Sequence, residues 1–212
     1  MINLSECRFC NIYKGNVDGK ENSPIWEDEN YYALASIGAL VPGWVLVVPK
    51  EHMLSIQHLY GKYDFVRFTN KTLHGMRLRY ASPVIAFEHG SNRCDSATSC
   101  GTSHAHLHLV PYHKSLRSDM LAHDTNWERC SASQIPVLAD GHEYLFYAEL
   151  TDTCRWEDPV GFLHVLEKSR SQYFRQLMAN QLNCVGEYDY KRYPRTDVAI
   201  KTKSELVKIL AG

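Results

Sequence analysis

Neither sign of charge dominates this chain: 23 Lys and Arg stand against 24 Asp and Glu, the formal net charge is -1, and no run of five or six like charges occurs. The sequence therefore lacks the basic footprint that duplex nucleic acid or an anionic membrane would require, and a small molecule is the expected partner. No apolar run approaches the roughly 18 residues of a membrane span. The segment MINLSECRFC has no basic stretch leading into an apolar one, so neither insertion nor export is expected. Internal repeats and compositionally simple segments are missing too, which excludes solenoids. Cysteine is present seven times, an odd count that leaves at least one residue unpaired in an oxidising compartment. Without a secretion signal, thiols or metal ligands in a reducing cytoplasm are expected.

What is present suits a packed core. Of 212 residues, 44% are hydrophobic and 22% charged, enough for one core of domain size with an elaboration. Tyr31 to Ser36 and Gly43 to Val48 read as an antiparallel strand pair, punctuated by Gly38 and Pro42-Gly43. From Asp64 to Tyr80 the residues Phe65, Val66, Thr69, Leu73, Met76 and Tyr80 recur at helical steps, with Asp64 as the expected N-cap. Ser82-Pro83 ends that helix, and Val84 to Glu88 is a strand. A polar loop from His89 to Ser103 leads into an alternating strand from His104 to Val110. Beyond Ser118, Tyr144 to Leu150 and Gly161 to Leu166 read as strands and Ser169 to Leu182 as a helix. Residues 1–117 are thus expected to form the catalytic core and 118–212 an extension packed on it.

The alternating segment places His104, His106 and His108 on one strand face, opposite Ala105, Leu107 and Leu109, with neighbouring histidines about 6.6 to 7 Å apart along the backbone. Three readings remain open at this point. The rings are surface residues of an exposed sheet, or they share a catalytic metal, or the middle one attacks phosphorus while its neighbours stabilise developing charge. The metal reading lacks an HExxH or comparable source of a third ligand. Cys7 and Cys10, as Cys-x-x-Cys, are half a metal site or two buried thiols.

The run His104-Ala105-His106-Leu107-His108-Leu109-Val110 resembles the signature of the histidine triad superfamily of nucleotide hydrolases and transferases. Cys7-Arg8-Phe9-Cys10 and Gly43-Trp44-Val45-Leu46-Val47-Val48-Pro49-Lys50-Glu51-His52 match it in the same order, so the resemblance covers roughly residues 5 to 115. It implies an α+β fold, an antiparallel sheet of about five strands with a long packed helix, to which an α+β extension is added here. It also implies His106 as nucleophile and His108 as the contact to phosphate or leaving group. A histidine, not a glutamine, at the third triad position points to the hydrolase-like branches. Cys7, Cys10, His52 and His104 would hold a structural Zn2+, closed to water. Many relatives are homodimers through the helix and sheet.

Departures from the family are specific. Ser36 replaces the acidic residue that holds ribose hydroxyls in relatives. Trp44 stands where histidine is common, as a base-stacking or core residue, and Gly101 stands where relatives have a serine that meets the leaving group, with Ser103 or Thr102 as substitutes. Glu88 and His89 are candidates for proton transfer or ordinary strand-end residues. Tyr144, Tyr147, Arg175 and Lys191 are candidate contacts from the extension, with packing and solvated surface as the alternative. The expected function is attack at an α-phosphorus of a nucleotide-like substrate through a histidine-nucleotidyl intermediate. A catalytically silent nucleotide-binding module is the alternative.

Overall fold

Apolar runs such as Tyr31–Ala35 and Val45–Pro49 need cover on both sheet faces, since successive side chains point to opposite sides. The computed structural model describes residues 6–150 and 155–210 and shows that cover; Cys154, expected as a thiol, lies outside the described residues. Along the chain run α1 (Arg8–Tyr13), β1 (Trp26–Glu27), β2 (Tyr31–Ala35), β3 (Val45–Pro49), α2 (Tyr63–Tyr80), β4 (Val84–Gly90) and β5 (Leu107–Pro111). Then come α3 (Arg117–His123), β6 (Glu128–Ser131), α4 (Ile135–Ala139), β7 (Tyr144–Leu150), β8 (Val160–Val165), α5 (Tyr173–Gln181) and α6 (Thr196–Leu210).

The fold is α+β, with one antiparallel sheet in the order β1-β2-β3-β5-β4-β7-β8-β6. The expected hairpin is β2 with β3, in register from Tyr31 opposite Pro49 to Ala35 opposite Val45. The sheet has eight strands instead of about five because β7 pairs with β4 along its whole length, from Val84 opposite Leu150 to Gly90 opposite Tyr144. The segment after Ser118 therefore continues the sheet.

Parity sorts the side chains. Ala33, Val45, Val47, Ala86, Leu107 and Leu109 face one core, closed by Phe65, Leu73 and Met76 of α2 and by Leu206 and Leu210 of α6. Tyr32, Leu34, Trp44, Leu46, Phe87 and Val110 face the other, closed by Phe9 and Ile12 of α1 and by Phe174, Leu177 and Met178 of α5. The second face carries the histidine row.

Two local expectations need correction. Asp64 is not the N-cap of α2, since Lys62 occupies that position without a side-chain cap. Asp64 lies inside the first turn, where its carboxylate accepts from the Phe65 N–H at 3.0 Å and from the Asn30 amide at 3.0 Å. The ladder of β5 begins at Leu107, not at His104. Just before it, the Ala105 N–H donates to the Met53 carbonyl at 2.7 Å, so the loop after β3 satisfies the backbone there. Alternation nonetheless persists, because Ala105 packs in the same core as Leu107 and Leu109.

Candidate active site and metal centre

The last two rings of the row, His106 and His108, are held by neighbours that fix what each can do. His106 is half-buried, and its Nδ1 lies 2.8 Å from the His104 carbonyl. A carbonyl only accepts, so Nδ1 carries the proton and Nε2 of the neutral ring keeps its lone pair. Burial, followed by the charges of Arg175 and Arg8, holds the His106 pKa down to about 4 against the opposing pull of that carbonyl bond. The ring is therefore neutral at pH 7.

His108 is the complement. The Trp44 indole N–H, a donor only, reaches His108 Nδ1 at 2.9 Å, which assigns the His108 proton to Nε2. Burial and the neighbouring His106, His89 and Arg175 hold this ring well below its ordinary pKa as well. The two ring centres are 4.7 Å apart. Side by side, one imidazole offers a lone pair and the next an N–H.

Both rings open into a cleft whose walls include Arg8, Ser36, His89, Thr102, Arg175 and Tyr190. Among the described residues no carboxylate lines it. Arg175, from α5, donates to the Gly38 carbonyl at 2.5 Å, the Ile37 carbonyl at 2.9 Å and Ser36 Oγ at 3.1 Å, and its guanidinium lies 4.4 Å from the Trp44 ring centre.

His104 turns away from the cleft toward a second cluster. Its Nδ1 is 3.3 Å from Cys7 Sγ and 3.6 Å from Cys10 Sγ, and His52 Nδ1 is 3.3 Å from Cys10 Sγ. Donor atoms of all four residues lie within 4.8 Å of one another. Tetrahedral zinc with Zn–S near 2.3 Å and Zn–N near 2.0 Å needs S···N separations of about 3.5 Å, so the cluster fits Zn2+ with only small adjustment. His104 Nε2–H donates to the Pro49 carbonyl at 2.8 Å, an outer partner of the kind that orients a metal-binding imidazole. With four protein donors, the metal centre is structural.

The other expected substrate contacts lie elsewhere. Glu88 sits on β4 one residue before His89 and so points to the opposite sheet face. Its carboxyl accepts from the hydroxyls of Tyr60 and Tyr144, and from the Ile56 N–H at 2.8 Å. Trp44 is fully buried and touches the site through His108. Ser103 Oγ accepts from the Asp95 N–H at 3.0 Å, and Gly101 faces Lys191, while their neighbours Cys100 and Thr102 line the cleft. Tyr147 hydrogen-bonds the Leu116 N–H at 3.1 Å, away from the cleft. The sequence offered Arg175 only as one candidate among several and contained no signal for Tyr190 or Arg8, because only tertiary packing brings them to the triad.

No family model matches the chain. It is 27% identical over 136 residues to the adenosine 5'-monophosphoramidase HINT3 of Danio rerio, a match covering 64% of this chain and 83% of that protein. Among solved structures, a HIT family protein of Bacillus subtilis is 21% identical with TM-score 0.40, covering 52% of this chain and 75% of its own. A zinc-bound histidine triad family protein of Mycobacterium smegmatis is 25% identical with TM-score 0.37, covering 52% and 78%. The chain is thus similar to histidine triad proteins, and the alternating histidines and the Cys2His2 cluster that claims the first of them accompany that similarity.

Proposed function

We propose that the chain is a nucleotide phosphohydrolase or nucleotidyl transferase that works through a covalent His106 intermediate. The observation that carries this reading is the opposite polarity of two adjacent neutral rings, a free Nε2 on His106 and an Nε2–H on His108. In the first step His106 Nε2 donates its lone pair to the α-phosphorus, the P–N bond forms, and the bond to the leaving atom breaks. The His108 N–H hydrogen-bonds the charge that develops on the phosphoryl oxygen or on the departing atom. In the second step water or another acceptor attacks phosphorus, the P–N bond breaks, and neutral His106 is restored.

The relative's name, adenosine 5'-monophosphoramidase, supports a phosphoramidate or a related nucleotide as substrate. Zinc in the Cys7, Cys10, His52 and His104 site would supply structural cross-linking of the N-terminal segment to the catalytic strand. Among the described residues no helix is long and apolar enough to cross a membrane. The reading includes a reducing cytoplasm, supported by the free thiols of the described cysteines. It also includes a homodimer through α2, where Tyr63 and Leu78 are exposed.

The test is His106→Ala assayed on a fluorogenic adenosine phosphoramidate and a dinucleoside polyphosphate. Turnover should vanish with the melting temperature nearly unchanged, and intact-mass spectrometry of the quenched wild type should show the nucleotidyl adduct. Equal activity in the variant would end the proposal.

A further inference from the structure

The cleft holds more cationic and hydrogen-bonding capacity than one reacting phosphoryl group uses. Arg175 is 5% exposed, yet it forms no ion pair among the described residues; its partners are two carbonyls and the Ser36 hydroxyl. A buried cation with no carboxylate in contact, only the more distant charge of Asp189, is costly, because it gives up its hydration mostly for neutral dipoles. His89, 9% exposed, lines the same cleft with both ring nitrogens buried and without a hydrogen-bond partner among the described residues. Its ring stands 5.2 Å from Phe174 and 6.2 Å from His108. Packing alone would be served better by phenylalanine at this position, since each buried polar group left without a partner costs about 1 to 3 kcal/mol.

These two defects share one place. Arg175 stacks on Trp44, Trp44 donates to His108, the His89 ring lies 6.2 Å from that of His108, and Arg175 and His89 both line the cleft. Arg175 and His89 also interact electrostatically.

We propose that Arg175 and His89 form a second anion subsite, which holds a further phosphoryl group of the substrate next to the one attacked by His106. This rests on the functional reading above and narrows it, favouring nucleotides that carry at least two phosphoryl groups over singly charged phosphoramidates. The guanidinium contributes the charge and His89 one N–H to the same oxyanion.

The test is calorimetric binding of AMP, ADP, adenosine 3',5'-bisphosphate, inorganic phosphate and inorganic pyrophosphate to the zinc-loaded full chain. At least one doubly phosphorylated nucleotide should bind roughly 10- to 100-fold tighter than AMP, the range expected for charge-assisted hydrogen bonds to one group. In Arg175→Gln and in His89→Phe that ratio should fall below about threefold. Arg175→Lys and His89→Gln, with melting curves for all variants, replace any variant that fails to fold, and Lys should retain part of the preference. No preference in wild type, or a preference that survives in both variants, overturns the subsite while sparing the nucleotide reading. Arg175-dependent pyrophosphate binding without nucleotide binding sinks the nucleotide reading and retains the subsite. Absence of all binding overturns the subsite.

Discussion

A single hydrogen bond sets the working form of His108. The Trp44 indole can only donate, so it keeps the proton on the far nitrogen, where the substrate would be. Trp44→Phe keeps an aromatic body in the core and removes that donor. Trp44 is a positioning residue in this scheme, and its loss should lower kcat by about 10- to 100-fold, the usual effect of removing an orienting partner. Nucleotide affinity should change less, and an unchanged kcat would show that the bond does not set the tautomer. Glu88 makes a different prediction. Burial pushes its carboxyl up to about 7, against the opposing donors Tyr144, Tyr60 and the Ile56 N–H. Because the folded state holds this proton more tightly than the unfolded chain, the stabilisation is complete below about pH 4.5 and is lost as pH rises through about 7. A shift of this size corresponds to a contribution on the order of 3 kcal/mol. Urea melts across this range should show wild type losing stability relative to Glu88→Gln as pH rises; parallel curves would refute the assignment.

Strand β4 shows how one residue of register decides between structure and chemistry. Phe87 and His89 point to the triad face, whereas Ala86 and Glu88 point to the face covered by α2, so a carboxyl beside the site in sequence is across the sheet from it in space. The β2–β3 turn is equally constrained. Gly38 has φ +65°, and a Cβ there would lie 2.3 Å from Tyr190 Cβ and 2.7 Å from Tyr190 Cα. Its carbonyl also receives Arg175. Gly38→Ala should therefore destabilise the chain by about 1 to 3 kcal/mol through a strained backbone and a contact with main chain that has no easy escape. Chemical denaturation would measure this, and a variant of wild-type stability would contradict the close approach. Helix α5 has a comparable double role, since Phe174 closes the core over Phe87 at 4.7 Å while Arg175 reaches the cleft.

At the scale of the molecule, the Cys2His2 cluster ties α1, the loop after β3 and the approach to β5 into one unit. A metal at 1,000 times its dissociation constant adds about 4 kcal/mol to stability, and at this chain length that is roughly 10 °C in melting temperature. A strong chelator should lower the melting temperature by about that amount, and added zinc should restore it. An unmoved transition would remove the structural metal from the account. The chain's own order of residues determined much of this: alternation marks the triad face and helical spacing marks α2, because each is a short-range pattern set by backbone geometry, whereas His52 and His104 joined Cys7 and Cys10 as metal ligands only through the family resemblance. Tertiary structure alone decided the length of the sheet, the diversion of Glu88 to the opposite core, and the arrival of Arg175 beside Ser36, a residue 139 positions away. No local period encodes such meetings; they follow from which faces must be buried together, and that is settled only when the whole core packs.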